Sequence, residues 1–240
     1  MNSVTIVLAI IIIVLVYILY IYMTSVVSPL QKAASLNKTI PEITKFEGPS
    51  NTRYGYSIWV YVNSWSNNSK KTIFSRKDPT NTYIKLYLDS LSPTLKIDLA
   101  LTSNATNKLD TDTMIITKNF PVQKWVCIAI SVDNQFMDAY LDGKLVKSQR
   151  FYKQVSNISR FPVTHPDSTS APIYLGNIPF TPFDAYISEF KRWTVPIDPD
   201  SAWKNYLDGN GTNALSKAFS SYGVDVSILK NNVEQASFSF

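Results

Sequence analysis

The chain has 240 residues, 45% of them hydrophobic, and a formal net charge of +5. One histidine, one cysteine and seven glycines exclude a multi-histidine metal centre and an internal disulfide, and leave little material for a glycine-rich phosphate loop. The positive charge is spread over pairs such as Lys70-Lys71, Arg76-Lys77 and Lys191-Arg192 with no longer run, so nucleic acid, which asks for a clustered basic face, is not an expected partner.

Val4–Met23 (VTIVLAIIIIVLVYILYIYM) contains no charged side chain, and the first one in the chain is Lys32. Twenty residues at a rise of about 1.5 Å make a helix of about 30 Å, the thickness of a bilayer's hydrocarbon core. Residues 1–23 therefore read as a single-pass transmembrane helix. Val4 and Met23 bound its apolar run, Ile11 lies near its middle, and Tyr17, Tyr20 and Tyr22 gather toward the end where amphipathic rings favour the interface. A cleaved signal peptide would need a basic start, a shorter apolar core and a small-x-small cleavage site, none of which the segment supplies. Lys32 and Lys38 after the helix place the rest of the chain on the cytosolic side, and the lone Cys127 agrees. Five N-x-S/T sequons at Asn37, Asn67, Asn104, Asn157 and Asn210 would argue for the opposite side if used. In a chain this rich in Asn, Ser and Thr their number is close to chance.

Residues 24–53 hold Pro29, Pro41 and mixed charges without a sustained period, and read as a juxtamembrane linker. Residues 54–240 read as one domain of short strands. In Tyr54–Val62, Tyr56, Ile58, Val60 and Val62 share a face. In Thr94–Leu101, Leu95, Ile97, Leu99 and Leu101 oppose Lys96 and Asp98, and in Trp125–Val132 both faces look buried, with Trp125 expected between two sheets. Further strands are expected at Thr72–Arg76, Tyr83–Leu88, Met114–Thr117, Phe136–Leu141, Lys144–Arg150, Ile173–Leu175 and Ala185–Trp193. Turns fall at Asp133-Asn134 and Asp142-Gly143. One helix follows Asp198-Pro199-Asp200-Ser201, with Ala202, Trp203, Tyr206 and Leu207 at helical spacing before Gly209 and Gly211. The fold class expected is all-β, a two-sheet antiparallel jelly-roll sandwich behind one membrane helix.

The stretches YSIWVYVNSW (Tyr56–Trp65), IFSR (Ile73–Arg76) and KWVCIAISVDNQFMDAYLDGKLVKS (Lys124–Ser148) resemble the laminin-G-like, concanavalin A-like jelly roll, in which a strand opening on tryptophan leads through a hairpin to a YLDG turn. YISEFKRW (Tyr186–Trp193) is similar to that family's closing strand, and DPDSAWKNYLDGNG to the helix after it. With the tail Ser220–Phe240, the whole resembles the version carried by large nucleocytoplasmic DNA viruses such as chloroviruses. The resemblance implies a virion structural component or a glycan-recognition module, because the superfamily holds lectins, glycosidases and adhesion domains.

The glycosidases of the superfamily use a strand motif E-x-D-x-x-E, which sets two carboxylates across a sugar bond, and this chain lacks it. Asp110 and Asp112 are spaced to share a strand face, but LDTDT reads as a polar turn. No Ser–His–Asp set can be assembled around the single His165, and Cys127 reads as a small core residue. No enzymatic activity is expected, and no cofactor except a Ca²⁺ ion of the kind laminin-G-like domains hold, with Asp78 and Asp142 as candidates. Both also read as turn residues. Trp65, in the loop NSWSNNS, and His165, in PVTHPDSTSAP, are the candidates for glycan contact.

Two functions remain. One is a non-enzymatic, minor-capsid-type virion protein whose jelly roll links other capsid proteins to the internal membrane, its domain on the cytosolic or capsid side. The other is a lectin-like module that binds glycans through the loops around Trp65 and His165.

Overall fold

Strands whose apolar residues alternate must cover one face each, and two sheets packed face to face do so. The computed structural model describes residues 3–23, 26–46, 51–103, 109–155, 158–211, 225–230 and 233–239, with side chains for 7–20, 26–46, 51–103, 109–154 and 158–211.

Helix α1 spans Ser3–Met23, and the large apolar side chains described in it are exposed, Ile13 at 67%. Among the described residues no helix is long and apolar enough to cross a membrane; the side chains of Val4, Tyr22 and Met23 lie outside the description. The strands follow as β1 (Val27–Ser35), β2 (Arg53–Val62), β3 (Lys71–Lys77), β4 (Thr82–Leu88), β5 (Leu95–Ser103), β6 (Asp110–Thr117), β7 (Trp125–Asp133), β8 (Phe136–Leu141), β9 (Lys144–Arg150), β10 (Lys153–Val155), β11 (Ile158–Pro162), β12 (Ile173–Leu175) and β13 (Ala185–Trp193). Helix α2 (Pro199–Leu207) and the paired strands β14 (Asp225–Lys230) and β15 (Val233–Ser239) are the remaining described elements.

One sheet runs β1-β13-β2-β7-β8-β9, and the other β10-β11-β5-β4-β3-β12, with β6 added along β5. Every pairing among them is antiparallel, so the expected two-sheet antiparallel sandwich is present. Ile58, Val60, Ile128 and Ile130 from the first sheet and Phe74, Leu86, Ile97 and Met114 from the second are each at most 1% exposed and form one core. The turn between β8 and β9 consists of Asp142 (φ 48°) and Gly143 (φ 75°). Two successive positive φ values match the right-handed twist of a hairpin, which is why Asp-Gly stands there.

Several expectations need correction. The stretch 24–53 is not a plain linker: β1 pairs with β13 from Val27↔Trp193 to Ser35↔Tyr186, Leu36 is 1% exposed, and Ile43 bridges Ile173. The sandwich therefore begins at Val27 rather than Tyr54. An edge strand with a solvated flank needs no strict alternation, and Pro29 sits at its register shift, where proline is tolerated. Asp110-Thr111-Asp112 is not a turn but the start of β6. Trp125 is half-buried on the outer face, against Tyr61 at 5.6 Å, and not between the sheets. It is in phase with Cys127, whereas Val126 and Ile128 point inward. In α2 the buried residues are Ala202 and Asn205, while Trp203 is 41% exposed.

The outer face of β7 is covered all the same. Asp198 caps α2 by accepting from Ser201 N at 2.9 Å, and the helix and the segment before it lie over Ala129, Tyr140 and Cys127. Ile197 N donates to Ser131 Oγ at 2.8 Å, Trp193 Nε1 to Ser57 Oγ at 3.1 Å and Asn205 Nδ2 to Cys127 Sγ at 3.5 Å. Trp59 stacks on Tyr206 at 5.7 Å.

Candidate functional site

His165 does not line an open loop. It is 4% exposed and held between Tyr54 and Arg76. A guanidinium only donates, so Nδ1, 3.4 Å from Arg76 Nη1, is the acceptor; Nε2 then carries the proton and donates to Tyr54 Oη at 2.9 Å. Burial, together with the charges of Arg76 and Arg192, pushes its pKa well below the usual histidine value. Arg76, also fully buried, donates from Nε to Ala171 O at 3.0 Å and from Nη2 to Pro166 O, so its charge ties the long loop before β12 onto β3. The sequence hid this cluster because Arg76, on an inward position of β3, is satisfied by groups 89 to 95 residues away. Its role is structural.

Trp65 is half-buried against the core rather than open. Lys71 Nζ sits 4.3 Å over its ring and its Nε1 donates to Asn67 Oδ1 at 3.2 Å. Neither glycan candidate offers a free platform.

The calcium candidates are also occupied. Asp78 Oδ1 accepts from Thr80 N at 2.6 Å, Thr80 Oγ1 at 2.8 Å and Asn81 N at 2.5 Å, and Oδ2 from Tyr83 Oη at 2.5 Å. Burial pushes its carboxyl up, but these hydrogen bonds outweigh burial and hold it well below the usual carboxylate range. Asp142 accepts from Cys127 N at 2.9 Å and faces Lys124 at 3.3 Å. The two aspartates stand on different sheets, and among the described residues no group of three His, Cys, Asp or Glu converges as a metal would require. Asp110 pairs with Arg160 and Asp112 with Lys153 at 2.7 Å. Burial pushes the Cys127 thiol up to about 12, the opposite of an activated nucleophile.

A surface not singled out from the sequence remains. On the outer face of the first sheet Tyr186 lies directly opposite Tyr61, and Tyr61 opposite Trp125, giving an aromatic row across β13, β2 and β7. Ring centroids are 6.5 and 5.6 Å apart, and Tyr186 is 45% exposed. A cleft of about 390 Å³ opens beside it, edged by Ala33 and Ala34 of β1, Trp125 and Tyr186 of the row, and Asn210 and Gly211 after α2. A second cleft of about 400 Å³ lies nearer the start of β1, with Val27 and Pro29 on one side and Ser201 and Asn205 of α2 on the other. Both owe one wall to β1. The signal was present in the outward phase of residues 61, 125 and 186, but the wall was invisible without β1.

A two-sheet antiparallel sandwich with a short helix over one outer face is the architecture of a jelly-roll domain. Over residues 37–202 the chain matches the laminin-G-type family described as the concanavalin A-like lectin/glucanases superfamily, and it belongs to that family. Among solved structures it is similar to a tryptophan-to-alanine mutant of HCR/D, at 15% identity and a TM-score of 0.51 over 75% of this chain and 44% of the other. It is also similar to the binding domain of paraclostridial mosquitocidal protein 1, at 11% identity and a TM-score of 0.49 over 75% and 46%. A third is domain 4 of AbnA, an extracellular arabinanase from Geobacillus stearothermophilus in complex with arabinotriose, at 16% identity and a TM-score of 0.46 over 74% and 85%. The match spans less than half of HCR/D, and likeness at such identity concerns the fold. No curated protein matches the sequence.

Proposed function

We propose that the protein is a non-enzymatic, membrane-anchored interaction module, of the minor-capsid type that the sequence resemblance suggests, in which the jelly roll docks other virion proteins to a membrane. The observation that carries this reading is the uncharged run Val4–Met23 placed directly before an edge strand. From Met23 to Val27 there are four peptide steps, which reach at most about 14 Å. A rigid sandwich joined so closely to a membrane helix is held near the bilayer surface, and the clefts walled by β1 become its docking faces.

The aromatic row supports a second reading, a lectin-like module, because sugars stack on exposed rings and the row stands beside a cleft of suitable size. Photo-crosslinking from position 186 in purified particles separates the two. Adducts with capsid proteins are expected. Glycan capture by the full chain that disappears in Trp125→Ala, with no protein adduct, would replace the first reading by the second. Hydrolysis of laminarin or another β-glucan, abolished by Glu189→Gln or Asp112→Asn, would overturn the non-enzymatic assignment.

A further inference from the structure

The outer face of the second sheet carries a cleft of about 310 Å³ between β3, β4, β5 and the loop after β4. Its walls hold four ammonium groups, Lys70, Lys71, Lys85 and Lys96, against one lining carboxylate, Asp89. Asp89 is taken by Lys96 and by Leu91 N at 3.0 Å. Asp98, opposite Lys85 in the ladder, accepts from Tyr87 Oη at 3.1 Å and Thr113 Oγ1 at 2.7 Å. Lys70, Lys71 and Lys85 have no ion pair among the described residues.

Lys71 is the informative member. It is 2% exposed, and its Nζ donates to the carbonyls of Ser69 at 3.1 Å and Ser90 at 3.0 Å beside the Trp65 ring. Burying an ammonium that no carboxylate touches is costly: desolvation lowers its pKa, and the Asp89 carboxylate nearby offsets that only in part. Lys85 is likewise held, over the Tyr87 ring at 4.6 Å, rather than free in solvent. An anion in the cleft would offset these costs and add charge-assisted hydrogen bonds. Thr72 and Ser90 supply further polar groups at its edge.

We propose that this cleft binds a tetrahedral oxyanion, a sulfate or phosphate, either free or as an ester on a sugar. At about 310 Å³ it stands at the small end of ligand pockets, which suits one such group. It also opens at the end of the sandwich opposite the start of β1. Val27 and Gly55 both pair with Trp193 at one end, while β2 runs to Val62 at the other, and Asn177 there joins Lys70 O at 2.8 Å and Thr72 N at 2.9 Å. The site is thus presented away from the point where α1 enters the domain, and it stands whether or not that helix spans a membrane.

The test is calorimetry on the full chain in detergent micelles at constant ionic strength. Sodium sulfate and phosphate are titrated against matched chloride, and N-acetylglucosamine 6-sulfate against N-acetylglucosamine. Saturable binding of the oxyanions, weakened about tenfold by Lys85→Gln or Lys96→Gln and unchanged by Lys147→Gln on β9, is the expected result. Lys85 and Lys96 are chosen because Lys71 is buried and hydrogen-bonds the carbonyls of Ser69 and Ser90, so Lys71→Met would change packing as well as charge. Equal affinity for inorganic sulfate and the sugar sulfate identifies a free ion as the ligand, and tighter binding of the ester a sulfated sugar. Heats that do not saturate, or equal losses in all three variants, overturn the proposal.

Discussion

Leu36 tests the corrected domain boundary most sharply. It follows β1, is 1% exposed, and its backbone is fixed on both sides: its N–H donates to Ala185 O at 2.8 Å and its carbonyl accepts from Phe183 N at 3.3 Å. Leu36→Ala removes three carbons from a packed site, about 2.4 kcal/mol in transfer free energy alone at about 0.8 kcal/mol each. The cavity left behind brings buried Leu→Ala changes to about 2–5 kcal/mol. At about 3 kcal/mol, a domain of this size should melt about 6–12 °C lower. The assay is thermal unfolding of the full chain in detergent, followed by tryptophan fluorescence, with Lys32→Ala on exposed β1 as the control, expected within about 0.5 kcal/mol of the parent. Equal, small shifts for the two would mean that residues 27–36 are a linker after all.

Three further outcomes follow from the interior. His165 is neutral in the folded protein and its pKa is depressed by burial and two guanidinium groups, so the unfolded chain binds the extra proton. Stability should fall as pH drops below about 6.5, by up to about 1.4 kcal/mol per unit, and urea midpoints that stay flat between pH 7 and 5 would refute this. Gly143→Ala should destabilise by at least about 1–2 kcal/mol, because the residue has φ 75° and a Cβ there would lie 2.8 Å from the Trp203 ring; an unchanged melting temperature would show the turn placed wrongly. Cys127, buried with its thiol pushed up to about 12, should resist disulfide-exchange reagents until urea unfolds the domain, and rapid native labelling would contradict the cover provided by α2.

How far the sequence carried the fold depended on whether a residue's partner lay nearby. Alternation in Tyr54–Val62, Leu95–Leu101 and Val126–Val132 identified strands and inward faces, and Asp142-Gly143 identified its hairpin, because period and turn chemistry are local. β1 escaped because an edge strand carries half the burial and its partner, β13, lies about 150 residues away. Burial of Arg76 and His165 escaped for a related reason: each is satisfied by a group distant in sequence, and a charge inside a sandwich leaves no periodic trace. Trp65 and His165 looked like loop residues with ligand-binding side chains, yet long loops that fold back over a sheet bury such groups. The aromatic row was legible in principle, since Tyr61, Trp125 and Tyr186 hold the outward phase, but which rings stand side by side depends on the register across three strands.

Alkaline carbonate extraction bears most directly on the central claim. The full chain and a chain beginning at Val26 are expressed with membranes and washed at high pH. The full chain should remain in the pellet and the shortened one should appear in the supernatant, with Ile11→Arg weakening retention because a central arginine costs about 2.5–3.5 kcal/mol of insertion. Recovery of the full chain in the supernatant, or equal pelleting of the shortened one, would contradict the account.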